Sequence, residues 1–438
     1  MKALILNGSF EGDTTGEHVR AALTAELQGR GWEIEHVLLR EKKIGNCAGD
    51  FYCWVRSPGL CNVDDDNRAI AEAVVHADLL VYLTPVTFGG YSSTLKHMVD
   101  HQIQNVLPFF AQVHGETHHQ KRYRHYADFL AVGWLQAPDP QSEALFHNLA
   151  ARNGLNFYAR TAVSGIVTAC QSAAELQAAA HAWLDDLQAR QSTRPAQLLR
   201  NVPQAVDSAL RRAVLLVGSP RTRTSSSAAL GGYLFEQLAK QDVQVETFYV
   251  HTCLRSPERM AALFDAVDAA DLLGLAFPLY VDSLPAPLIE ALERIAARRL
   301  GHAPTHLQRL VAIANCGFPE AAHNTMALEI CATFARQAGF GWAGSLSLGA
   351  GEGIVHGTPL NELDGRAIPL KKSLELAAAA LLAGQPIPQE AAALMAKPII
   401  PGWLYRAMGV YGWHAQAKHF GAEKIMKRQP YSSVPSRD

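Results

Sequence analysis

Short apolar runs alternate with amphipathic stretches along most of the chain. "KALILNGSF" (2–10) is an apolar run that stops at Asn-Gly-Ser, and "RAVLLVGSP" (212–220) stops in the same way. Thr/Ser-rich residues follow each run, and then a helical pattern, "GEHVRAALTAELQGRG" (16–31) or "AALGGYLFEQLAKQ" (228–241). A second strand comes next, "WEIEHVLL" (32–39) or "VQVETFYV" (243–250), and an acidic helix running into Ala-Asp, "NRAIAEAVVHAD" (67–78) or "RMAALFDAVDAAD" (259–271). A third apolar strand then ends at proline, "LLVYLTPVTFGG" (79–90) or "LLGLAFPLYVDS" (272–283). The matching order is an internal repeat with a period of about 200 residues, too long for a solenoid. Strands alternating with helices predict an α/β fold with parallel sheets joined by right-handed crossovers.

The first half continues through a predicted helix, "SSTLKHMVDHQIQNVL" (92–107), and the strand "ADFLAVGWL" (127–135). The second adds "PLIEALERIAARR" (287–299), the strand "RLVAIANCG" (309–317) and "WAGSLSLGAGEG" (342–353), where GAGEG reads as a glycine turn. The predicted boundaries are 1–190 for the first domain, 191–210 for a linker, 211–385 for the second domain and 386–438 for an aromatic-rich arm. In the arm, Trp403, Tyr405, Tyr411 and Trp413 are expected to pack on the body or on a partner. Basic residues are too sparse there for a strong interfacial membrane helix.

Composition narrows the function classes. The 438 residues carry 39 basic and 41 acidic side chains, so nothing in the charge points to nucleic acid or an acidic membrane as partner. No apolar run reaches the ~18 residues of a membrane span, and "MKALILNGSF" lacks a signal-peptide layout. Seven cysteines, an odd number, fit a reducing cytoplasm better than a disulfide framework.

Ligands of open parallel sheets bind beyond the carboxyl ends of the strands, and candidate chemistry clusters there. "GSPRTRTSSS" (218–227) offers Ser219, Thr222, Thr224, Ser225, Ser226 and Ser227 hydroxyls, a helix N-terminus, and Arg221 and Arg223 for a dianion. It has neither a Walker lysine nor GxGxxG, so a phosphate monoester suits it better than a triphosphate or dinucleotide. "NGSFEGDTTGEH" (7–18) offers Ser9, Thr14 and Thr15, with Glu11 and Asp13 opposing an anion. The proline loops present Pro85, Val86, Thr87, Phe88, Gly89 and Tyr91 in the first half, and Pro278, Leu279, Tyr280 and Ser283 in the second. Asn315, Cys316 and Gly317 follow a strand at the same edge.

These loops resemble those of the flavodoxin-like NAD(P)H-dependent FMN reductases, including their iron-sulfur flavoprotein branch. In that family a GSPR-type loop holds the FMN phosphate and a P-x-Y-F/W-G-x-x-S-x-x-L-K-x-x-x-D loop lines the flavin ring. "PVTFGGYSSTLKHMVD" (85–100) matches with Thr87 in place of tyrosine, whereas "PLYVDSLPAPL" (278–288) keeps Tyr280 and lacks the glycine and Leu-Lys. The resemblance implies two tandem flavodoxin-like domains, each a five-stranded parallel sheet in the order 2-1-3-4-5 with helices on both faces. It implies FMN as cofactor, NAD(P)H as electron donor, and a small acceptor such as a quinone, a flavin, or a nitro- or azo-aromatic. Side-chain acids or bases are not required, because the flavin N5 carries the chemistry. The FMN site lies near a dimer interface in the family, so a homodimer or an intrachain pseudo-dimer is implied. With the richer phosphate loop, the second domain is the expected FMN site. The alternatives are an FMN electron carrier for a protein partner, or a degenerate binding or scaffold module.

Two further clusters complete the reading. "NCAGDFYCWVRSPGLCNVDDD" (46–66) aligns with the cluster-bearing branch at Cys47, Cys53 and Cys61, but Asp50 stands where its second cysteine belongs. Because such clusters use four thiolates, we expect no metal there, and Phe51, Tyr52 and Trp54 are read as shaping the acceptor or dimer side. "VHGETHHQKRYRHY" (113–126) reads as a lid or interface whose Lys121, Arg122 and Arg124 would meet the nicotinamide cofactor's phosphates or an anionic acceptor; the alternative is zinc on His114, His118, His119, His125 and Glu116, with His114 and His118 on one face if helical. "DDDNR" (64–68) reads as an acidic helix start. Cys170, Cys253 and Cys331 read as packing residues.

Overall fold

The computed structural model describes residues 1–206, 209–302 and 306–432. They form two compact units, Met1–Leu199 with Arg406–Asp438, and Arg200–Tyr405. The division at Leu199 falls inside the stretch predicted as a linker, while the predicted arm is shared between the units.

The strands of the first unit are β1 (Lys2–Asn7), β2 (Glu33–Leu38), β3 (Leu79–Thr87), β4 (Gly90–Tyr91), β5 (Val106–Val113), β6 (Glu116–Lys121), β7 (Asp128–Leu135) and β8 (Ala162–Thr168). β2-β1-β3-β7-β8 run parallel in that order. The second unit has β9 (Arg212–Val217), β10 (Gln244–Tyr249), β11 (Leu272–Pro278), β12 (Arg309–Asn315) and β13 (Gly341–Leu348), ordered β10-β9-β11-β12-β13. Both sheets have the flavodoxin-like order 2-1-3-4-5. Strand order therefore reverses between β1 and β3, and between β9 and β11, where an open sheet takes ligands.

Burial follows from strand position. β1, β3, β9 and β11 are covered on both faces, hence their unbroken apolar runs; the edge strands β2 and β10 are half exposed. Helices Thr14–Gly29 and Ala173–Gln188 cover one face of the first sheet with Val19, Leu23 and Leu27 and with Leu176, Ala180 and Leu184. Their i, i+4 spacing makes one apolar stripe on each helix. Ser226–Ala239 and Ile368–Leu382 do the same in the second unit through Leu230, Leu234 and Leu238 and through Leu370, Leu374 and Leu381.

The first sheet differs from the expected five strands by one. β4 folds back antiparallel on β3, with Thr87 opposite Gly90, because Phe88 and Gly89 (φ 54° and 82°) make a two-residue turn between them. The His-rich segment is not helical either. β5 and β6 form an antiparallel hairpin with His114 and Gly115 at its tip. Arg122, read as a phosphate contact, is buried: its guanidinium donates to the carbonyls of Val106, Met426 and Arg428. His118 is buried beside Asn156 Oδ1 at 2.8 Å.

The C-terminal residues build part of each unit's core. Ala391 and Met395 of helix Gln389–Ala396 are buried in the second unit. Ala417 and Met426 join Trp54, Leu107 and Phe109 in the first. Among the described residues no helix is long and apolar enough to cross a membrane.

Candidate functional site

In the first unit the loop after β1 is fixed against the helix that follows β4. A Cβ placed on Gly8 would stand 2.5 Å from the Leu95 Cβ, so only glycine lets the loop approach Ser93–Asp100 this closely. Ser92 caps that helix by accepting from the Leu95 N–H, and its hydroxyl donates to the Gly8 carbonyl at 2.8 Å. Lys96 and Asp100, i and i+4 on the helix, form a buried ion pair. The S-x-x-L-K-x-x-x-D pattern thus holds the two loops together.

Ser9 is buried, and its N–H donates to Asn7 Oδ1 at 2.9 Å. Its hydroxyl accepts from Arg40 Nη1 at 2.9 Å, and the same guanidinium reaches the carbonyls of Ser9 and Phe10. Thr14 and Thr15 open the helix Thr14–Gly29, whose first N–H groups have no partner within the helix. Asp13, expected to oppose an anion, sits at this same helix start: it caps Gly16 N at 3.0 Å and accepts from Trp134 Nε1 at 2.8 Å. In the proline loop Pro85 and Val86 are half-buried, while Thr87 and Phe88 are buried.

The second unit repeats the scaffold with different contacts. A Cβ on Gly218 would meet Leu288 at 2.7 Å, as Gly8 meets Leu95. Asn315 Nδ2 donates to the Ser227 hydroxyl at 2.9 Å. Ser225 caps the helix through Ala228 N, and Thr224 donates to the Arg221 carbonyl. Ser219 accepts from Arg221 N at 3.3 Å. Arg221 forms an ion pair with Glu352, whose other oxygen accepts from the Ser226 hydroxyl at 3.2 Å. The stretch read as a glycine turn is a short helix, Gly351–Val355, between Ala350 (φ 58°) and His356 (φ 49°), and it delivers this carboxylate. After Pro278 and Leu279, Tyr280 and Ser283 exchange backbone hydrogen bonds around Val281 and Asp282 (φ 46° and 57°). That is the turn of Phe88–Gly89 made without glycine, at about 1–2 kcal/mol of strain per residue. Cys316 is buried with its sulfur on the Phe318 carbonyl, burial pushing the thiol up to about 12, and the Gly317 carbonyl accepts from Tyr405.

The sequence profile of the NADPH-dependent FMN reductases matches residues 1–150 and 211–332, more than half of the chain. The chain belongs to this family. One matched segment falls in each unit, as the internal repeat requires. Among curated proteins, an iron-sulfur flavoprotein of Methanocaldococcus jannaschii is 36% identical over 102 residues, 23% of this chain and 51% of that protein. An iron-sulfur flavoprotein of Methanosarcina thermophila is 27% identical over 103 residues, 24% and 53% respectively. The chain spans about half the length of the curated relatives it matches. Among solved structures, an NAD(P)H:quinone oxidoreductase from Methanothermobacter marburgensis is 14% identical with a TM-score of 0.32, covering 40% of this chain and 96% of that one.

The cofactor in the family's name carries a phosphate monoester and a planar ring. The first unit's donors fit the phosphate: a hydroxyl and a guanidinium at Ser9 and Arg40, beside a helix N-terminus. The second unit's donors suit an anion equally, and a carboxylate of the chain itself lies on them.

The cysteine loop is where the resemblance would set a cluster. Cys47, Cys53, Cys61, Asp50 and His101 line one small cleft. Among the described residues, however, no three His, Cys, Asp or Glu side chains stand close enough to hold a metal ion. A cluster therefore does not fit this arrangement. Burial pushes the Cys47 thiol up to about 12 and that of Cys53 well above its ordinary value. Trp54, expected on the acceptor side, is buried: its indole N–H donates to the carbonyls of Ile103 and Val106, and Phe51, His119 and Trp413 surround its ring. Asp65 and Asp66 begin a helix as expected, and also accept from the N–H groups of Gly45 and Lys43.

Sequence reasoning missed Arg40 and Glu352. Arg40 sits just past β2, an edge with no motif. Glu352 had a readable signal: an acid between glycines, following a strand of the same sheet as an arginine-rich loop.

Proposed function

We propose that the chain is an FMN-dependent oxidoreductase that takes hydride from NAD(P)H and reduces a small acceptor, a quinone, flavin, nitro- or azo-aromatic compound, with FMN held by the Met1–Leu199 unit. The observation that supports this placement is the partner of the loop's arginine. Arg40 contacts a serine hydroxyl and two carbonyls, and its charge remains available to a phosphate. Arg221 is matched by Glu352. A half-buried pair at the surface of that kind is worth about 1 kcal/mol. A phosphate charge brought to 4 Å from the carboxylate would meet about 4 kcal/mol of repulsion at an effective dielectric of 20. Arg221 at a like distance contributes the opposite sign, so the pair as a whole brings no net attraction for a phosphate to the second site.

FMN supplies the hydride acceptance and onward electron transfer when bound. The chain's share is placement. Ser9, Thr14, Thr15 and Arg40 hold the phosphate, and Pro85, Val86, Thr87, Phe88 and Gly89 set the wall on which the ring rests. In the second unit Ser219, Arg221, Thr224, Ser225, Ser226, Pro278, Leu279, Tyr280, Asn315, Cys316 and Gly317 keep the same framework as structural residues.

Anaerobic titration of the flavin-loaded protein with NADH and NADPH tests the activity. Bleaching of the flavin band within seconds, without a protein partner, is the expected result. A band that neither nicotinamide bleaches contradicts a pyridine-nucleotide reductase and leaves a carrier.

A further inference from the structure

The Cys61 sulfur lies 3.6 Å from Nδ1 of His101, in the cleft described above. The other ring nitrogen of His101 is 2.8 Å from the Gly45 carbonyl, an oxygen that only accepts. Nε2 therefore carries a proton, and in the neutral imidazole the Nδ1 lone pair faces the thiol. A second set of contacts fixes the residue. The Cys61 N–H donates to Gln104 Oε1 at 3.0 Å, and Arg68 donates to its carbonyl through Nε and Nη2, at 3.0 and 2.7 Å. Gly59 (φ 85°) leads into it, packed so tightly that an added Cβ would lie 2.5 Å from Pro430.

A thiol hydrogen-bonded to an oriented imidazole is the arrangement that makes a sulfur nucleophilic. We propose that Cys61 is an oxidant-reactive thiol with His101 as its catalytic base, and that its substrate is a small hydroperoxide. The half-buried sulfur in a confined cleft admits a small electrophile with a weak bond. In the step, sulfur attacks the outer peroxide oxygen, an S–O bond forms and the O–O bond breaks. The thiol proton passes through His101 to the leaving oxygen, which departs as water or an alcohol. The sulfur is oxidised by two electrons to the sulfenic acid, and the peroxide is reduced by two. A neighbouring thiol of the cleft can then displace water to give a disulfide. The inference does not depend on flavin binding.

The chain holds its own control. Cys170 is exposed, with its sulfur at the Thr168 hydroxyl, so exposure alone ranks it first for oxidation. The test treats the full chain with a few equivalents of hydrogen peroxide in the presence of dimedone and maps adducts and disulfides by peptide mass spectrometry. Cys61 should be oxidised, as adduct or disulfide, about tenfold or more faster than Cys170. His101→Gln, whose amide can still donate to Gly45, should lower the Cys61 rate about a hundredfold or more and leave Cys170 unchanged. Oxidation of Cys170 at an equal or higher rate than Cys61 in the unaltered chain overturns the proposal, whether or not the variant folds. So does a folded His101→Gln chain in which Cys61 reacts as before.

Discussion

In the Met1–Leu199 unit the guanidinium beside the first-strand loop belongs to Arg40 and rests on a serine hydroxyl and two carbonyl oxygens. In the Arg200–Tyr405 unit the corresponding loop carries two arginines, Arg221 and Arg223, and five hydroxyls after Arg221; Arg223 lies over the Tyr249 ring, and Glu352 lies on Arg221 and Ser226. Counting donors ranks the second loop higher; counting what already occupies them ranks the first. An anion site is defined by its net field, and charges delivered from other elements decide that field.

The largest effect is expected at the ring-loop turn. Gly89 has φ 82°, and a Cβ there would meet the Leu145 side chain at 2.7 Å. Gly89→Ala should cost about 2–4 kcal/mol in urea unfolding, combining left-handed strain with overpacking. Gly317→Ala, in open space in the other unit, should change stability by less than about 0.5 kcal/mol. Next is Arg40→Ala, which removes a contact to a charged group worth about 1.5–3 kcal/mol and should weaken FMN binding about tenfold to a hundredfold in fluorescence titration. Arg221→Ala should leave that binding within about twofold, since its charge is already matched. Ser92→Ala removes a helix cap and the bond to Gly8, and should lower stability by about 1–2 kcal/mol. Pro285, the equivalent cap position in the second unit, makes no side-chain cap hydrogen bond, so changing it tests backbone alone. Smallest is Glu352→Gln. It should cost about 1 kcal/mol or less in stability while strengthening inorganic phosphate binding at the second loop, measured by calorimetry.

Much of this fold was legible in the sequence because parallel strands buried on both faces must be apolar throughout, and β1, β3, β9 and β11 are. The repeat made the assignment stronger, since two independent segments gave the same order. Local patterns failed where long-range contacts dominate. Residues 113–126 carry mixed polarity with no clear period, and their hairpin is held by pairing of β5 with β6 and by the Arg122 guanidinium on C-terminal carbonyls. The turn at Val281–Asp282 was hidden because neither residue is glycine, although its backbone repeats that of Phe88–Gly89. The loops themselves were placed correctly at the carboxyl ends of the strands. Their occupants were not readable, since Arg40 lies 31 residues from Ser9 and Glu352 lies 131 from Arg221.

The most direct test is a flavin count on the full chain after loading with excess FMN and desalting, by absorbance against protein concentration. The account predicts one FMN per chain, unchanged by Arg221→Ala and lowered by Arg40→Ala. Two per chain, or a single flavin lost with Arg221→Ala and kept with Arg40→Ala, would contradict it.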